Sequence, residues 1–225
     1  MITLGIIGVV AALTIPTLMA NHRKTVIETR LAKFYSTMNQ AVAKAEIDYG
    51  DKTLWDKYVM LYEKDENGQN DETKPIANTE YFNKYFAPYI IATKIESDAG
   101  RVVVYFPDGS VAEFASSSIH FWPNGQDYKK LTKDEETGVY KNDMEASGRK
   151  HFTFFFSPTG NTNANKYHYA KGIEPYKYNW DGTEEMLRNN SSIGCKKQVS
   201  NERAYCTALI QMNGWKIPKD YPIRL

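Results

Sequence analysis

From Ile2 to Ala20 the chain carries no ionisable side chain, and the part from Ile2 to Leu13 is almost wholly apolar. No other feature restricts the fold so strongly, because such a stretch has to leave water. Folded as a helix, its 19 residues reach about 28 Å at about 1.5 Å per residue, close to the roughly 30 Å of hydrocarbon in a bilayer. A cleaved secretory signal is the competing reading, but no Lys or Arg precedes the run and Leu18-Met19-Ala20 is a poor small-x-small cleavage site. The sequence therefore predicts a transmembrane helix over 2–20.

The helical pattern continues beyond that edge. Ile27, Leu31, Phe34, Met38, Ala41, Val42, Ala45 and Tyr49 recur at steps of three and four and share one face, while Arg30, Lys33, Asn39, Lys44 and Asp48 occupy the other. Gly50 stands where a left-handed cap would end the helix. One spine helix over 1–50 is expected, with its first half in lipid and its second against a head over 51–225. Pro16 removes a backbone donor and predicts a kink or a melted stretch there. Helices in lipid gain little by hiding apolar surface from one another, so close packing depends on small residues. Gly5, Gly8 and Ala12, spaced at three and four, form such a stripe.

The 225 residues suit one head domain, not several. With 28 basic against 27 acidic side chains, the bulk attraction for nucleic acid is missing. The 16 tyrosines, 10 phenylalanines and 4 tryptophans favour pleated strands. A short helix is expected from Asn78 to Ala87, ended by Pro88, and a hairpin from Arg101–Phe106 and Ser110–Phe114 around the turn Pro107-Asp108-Gly109. Ser118–Trp122 could add a strand, and Phe152–Phe156 is the strongest strand candidate. The polar segments Lys64–Asn78 and Asn161–Lys166 read as surface loops. The fold class expected is α+β: a long N-terminal helix packed on an antiparallel sheet.

No catalytic motif of the GxSxG, HExxH, Walker or GxGxxG kind is present, and no cofactor is implied. His22, His120, His151 and His168 are scattered and read as surface or strand residues. The acidic stretch from Asp65 to Glu72 invites a calcium reading, but its Gly is misplaced for an EF-hand and a solvated loop explains it better. No metal site is expected. Trp122 and Trp180 suit core packing better than a ligand platform. Cys195 and Cys206 would be free thiols in a cytosolic protein and a paired loop outside the cytoplasm.

The stretch from Ile2 to Leu18, ITLGIIGVVAALTIPTL, with Gly8 and Pro16, resembles the N-terminal spine of type IV pilins and type II secretion pseudopilins. The continuation Arg30 to Ala41, RLAKFYSTMNQA, is similar to the amphipathic part of one bacterial branch, and the tail from Asn213 to Pro222 resembles tails of that branch. The resemblance implies a basic leader, a Phe and a registering Glu upstream of Met1, so the start of the spine is expected to be missing here. It also implies a Cys195–Cys206 disulfide closing the C-terminal region, and a head outside the cytoplasm. The positive-inside rule applied to His22, Arg23 and Lys24 alone would place the head inside.

The function implied is that of a structural filament subunit, not an enzyme. Its partners would be like subunits, other pilins, an inner-membrane assembly platform and the membrane. It would lie in a bacterial inner membrane or in an extracellular filament. The alternative is a monomeric membrane-tethered domain outside the cytoplasm, binding for example a surface carbohydrate.

Overall fold

The computed structural model describes the backbone of residues 2–141 and 143–225 and the side chains of residues 14–16, 18–140 and 143–225. Helix α1 runs from Ile2–Tyr49 and continues through Pro16 without a break in helical conformation. Gly50 ends it, with φ +78° and its N–H bonded 3.0 Å back to the Glu46 carbonyl. After α1 come β1 (Leu61–Lys64), β2 (Asn70–Ile76), α2 (Thr79–Tyr85), β3 (Lys94–Asp98), β4 (Arg101–Tyr105), β5 (Val111–Phe114) and β6 (Ser118–Trp122). The chain then adds β7 (Thr132–Lys133), β8 (Tyr140–Lys141), β9 (Phe152–Phe155), β10 (Glu174–Pro175), α3 (Glu184–Asn189) and α4 (Cys206–Met212).

Six strands form one antiparallel sheet in the order β10-β9-β6-β5-β4-β3. The pairings Val102↔Phe114, Ala112↔Phe121, Ile119↔Phe154 and Phe121↔Phe152 put these side chains on one face. That face receives the second half of α1, so Leu31, Phe34, Met38 and Val42 share a single buried core with the strands and with Phe82 and Phe86 of the α2 region. Phe34 is the centre of the contact: its ring stacks 4.3 Å from Phe121 and lies 5.0 Å from Phe154 and 5.9 Å from Phe106. The sequence expectation of an α+β head with a helix laid on an antiparallel sheet holds.

Several expectations need correction. Tyr49 is 45% exposed, because the cap at Gly50 carries the last turn past the core. Asn39 does not face water; its amide donates 2.8 Å to the Ile173 carbonyl, where Gly172 leaves room for it. Arg30 is half-buried and clamps the carbonyls of Pro123 and Asp108. The segment from Lys64 onward is not all loop, since β2 pairs with β1 around a tight turn in which Asp65 accepts from the N–H groups of Asn67 and Gln69. Only its polar composition was visible in the sequence. His168 is neither surface nor strand: it is fully buried in a turn, where its Nε2 accepts from the Lys177 N–H at 3.0 Å.

Among the described residues, no helix is long and apolar enough to cross a membrane. The span expected over 2–20 falls largely on residues 2–13 and 17, whose side chains lie outside the described residues. Within its described part, Ile15, Leu18 and Met19 are 51%, 70% and 67% exposed.

Candidate functional site

The feature with no counterpart in an ordinary head domain is the place where α1 leaves the head. From Ile27 onward the helix is packed on the sheet; of the described side chains before it, Thr14 to Pro16, Leu18 to His22 and Thr25 are exposed, and Arg23, Lys24 and Val26 are half-buried. At this boundary the loops after β6 and before β9 and the C-terminal tail crowd around the helix and form a groove of about 940 Å³. Pro16, Leu18 and Met19 supply an apolar end, and Arg23, Arg30, Arg149, Lys150 and Arg224 supply cations. Asp127 is shared by Arg23 and Lys150, each at 3.4 Å. The Arg149 Nε is buried without a hydrogen-bond partner.

The tail is tied to α1 by a residue that interrupts the apolar stripe. Glu28 is 6% exposed, accepts the Ile217 N–H at 2.9 Å and pairs with Lys216 at 2.9 Å. A carboxylate in such a place is tolerated only when hydrogen-bonded and paired. Trp215 then packs 5.1 Å from Tyr35 of the helix. Cys195 and Cys206 are joined in a disulfide, which links the turn after α3 to the first residue of α4. Leu209, Tyr221 and Ile223 pack around it, and the buried Tyr221 hydroxyl donates to the Gly148 carbonyl at 2.5 Å. The close pass of this bond explains Gly148, whose φ is +73° and where a Cβ would lie 2.7 Å from the Cys206 Sγ.

Two buried polar clusters complete the head. On the sheet face away from α1, Glu113 pairs with Arg101 at 2.7 Å, while Glu202 meets the Nε2 atoms of His120 and His151, both at 3.3 Å, and accepts from the Thr153 hydroxyl. Burial alone would push the Glu202 carboxyl up, but the charges and hydrogen bonds of His120 and His151 hold it well below the usual carboxylate range. Arg101 and both histidines face a carboxylate, so the cluster pins the segment before α4 over the sheet. Beside β10, Glu174 accepts from Tyr35 at 2.9 Å and Tyr167 at 3.2 Å, while Lys177 donates to Tyr167 and Gln211 at 2.9 and 2.8 Å. Burial lowers the Lys177 ammonium to about 8. Among the described residues, no group of three or more His, Cys, Asp or Glu side chains is placed to hold a metal ion.

Of the residues singled out from the sequence, the cysteines are brought together and Pro16 stands exposed within α1. Gly5, Gly8 and Ala12 lie in the part of α1 of which only the backbone is described, so their packing falls outside the described residues. Trp122 is buried, and Trp180 packs on Tyr167 at 5.3 Å with its indole N–H bonded to the Thr183 carbonyl at 2.8 Å. Glu28 was missed, although a signal existed: it lies three residues before Leu31 and so on the apolar face. The pairing of Glu202 with two distant histidines had no local signal, because sequence separations of 82 and 51 join the partners.

No curated protein and no solved structure matches the chain. Residues 17–225 match a family of unknown function, DUF6613. That match takes in the described side chains of the head and its helix almost completely, and the chain belongs to this family.

Proposed function

We propose that the chain is a structural subunit of a bacterial filament of the type IV pilin or type II secretion pseudopilin class, anchored and assembled through the apolar part of α1. The observation that carries this reading is the division of one uninterrupted helix: its second half is built into the head core, while its first half is apolar in sequence, with exposed Ile15, Leu18 and Met19 where the head ends. An apolar half-helix is suited to lipid and to a bundle of like helices. Like subunits, other pilins and an inner-membrane assembly platform are the partners this reading names, with the head outside the cytoplasm. The disulfide supports that compartment, since such bonds persist where the environment is oxidising.

In this account Gly5, Gly8 and Ala12 let neighbouring helices approach, so Gly8→Leu, made at the native locus, lowers sheared filament yield while membrane-fraction yield is unchanged. Insertion is spared because Leu only increases hydrophobicity. Unchanged filaments at equal membrane levels would remove the stripe from assembly. A head that binds a surface carbohydrate and never oligomerises would instead establish the tethered binding domain.

A further inference from the structure

The cations at the foot of the head outnumber what the folded chain needs. Arg30 is occupied with two carbonyl groups and Asp127 is already divided between Arg23 and Lys150. Arg149 and Arg224 remain, in the same groove, whose five Lys and Arg side chains face two carboxylates, that of Asp127 and the main-chain one of Leu225. Burying the Arg149 Nε without an acceptor is costly unless something else supplies one. The groove is also ordered along α1. Pro16, Leu18 and Met19 come first; Arg23 follows Pro16 by about 10 Å and Arg30 by about 21 Å at about 1.5 Å per residue. An occupant would therefore be apolar at one end and anionic at the other, with the apolar end toward the start of α1.

We propose that this groove binds the headgroup of an anionic phospholipid, with the phosphate at Arg149 and Arg224 and the acyl end along Leu18 and Met19. This inference rests on the membrane-anchored reading, and it adds a specific lipid contact that would set the depth and tilt of the head. A guanidinium fork matches phosphate oxygens geometrically as well as electrically, which an ammonium does not.

The test uses the full purified chain and flotation with vesicles of phosphatidylcholine alone or mixed with phosphatidylglycerol. A cation near an anionic surface contributes about fivefold in partitioning. The wild type is expected to favour the phosphatidylglycerol vesicles by at least about tenfold at low salt, with the preference shrinking as salt screens it. Arg149→Gln with Arg224→Gln should remove most of it, and Arg149→Lys with Arg224→Lys should keep part of it, which separates lost charge from lost folding. Equal retention on both vesicles, or an unchanged preference in the glutamine pair, overturns the lipid site and leaves the anchor standing. Competition by inorganic phosphate overturns it in favour of a small-anion site. Retention on neither vesicle overturns the anchored reading together with the site.

Discussion

Replacing Phe34 by alanine tests whether α1 belongs to the core of the head or merely leans on it. The side chain is 4% exposed and its ring touches Phe106, Phe121 and Phe154. Removing a buried Phe forfeits its transfer free energy and leaves a cavity, together about 3–5 kcal/mol. The three aromatic partners, each worth about 0.5–1.5 kcal/mol beyond area, place the loss in the upper half of that range. Phe34→Leu refills most of the volume and should cost under about 2 kcal/mol, since only the ring contacts go. Urea unfolding of both variants in mild detergent, followed by tryptophan fluorescence, reads the difference from the midpoints at constant slope. Trp55 and Trp215 report from the same core, at Tyr85 and Tyr35. A loss below about 1 kcal/mol for Phe34→Ala would mean that the sheet face closes without the helix, and the assignment of the second half of α1 to the core would fail.

Glu28→Ala should destabilise by about 2–3 kcal/mol in the same assay, because a buried charged acceptor of the Ile217 N–H is lost. Lys216→Ala, with a side chain 67% exposed, should cost under about 1 kcal/mol; equal losses would contradict the assignment. Cys206→Ser opens a link between residues 11 apart and should cost about 3 kcal/mol on the loop-entropy estimate, with faster proteolysis of the tail after α4. Full thiol labelling of exported wild type would contradict the pairing. Burial, then the charges of Lys171 and Lys177, lowers His168 to about 3 in the folded state against 6.5 for the free group. Between those values the unfolded chain takes up a proton that the folded chain does not, so stability falls as pH drops below 6.5. The stability advantage of wild type over His168→Gln should shrink across that window, and a constant advantage would show that His168 does not titrate as described.

Much of the fold was legible because it rests on local periodicity. The stripe from Ile27 to Ala45, the cap at Gly50, the turn at Pro107-Asp108-Gly109 and the strands at Ser118 and Phe152 all declare themselves within a few residues. The paired strands β1 and β2 did not, since Asn70–Ile76 is polar and holds Pro75, and its pairing rather than its composition makes it a strand. Strand β3 was hidden for a similar reason, with its hairpin to β4 made by Ala99 and Gly100, both at positive φ. The groove at the foot of the head was illegible because its cations come from α1, from the loop before β9 and from the tail. Only tertiary structure brings Arg23, Arg149 and Arg224 to one place.

The central claim is that heads of this chain tile a filament whose core is made by the apolar half of α1. Shearing cells that carry the native gene and labelling the released material with antibodies against the head, viewed by electron microscopy, tests it most directly. The account predicts thin filaments labelled along their whole length, with cross-linked ladders of the chain in the same fraction. A head confined to the membrane fraction as a monomer, with no labelled filament released, would contradict it.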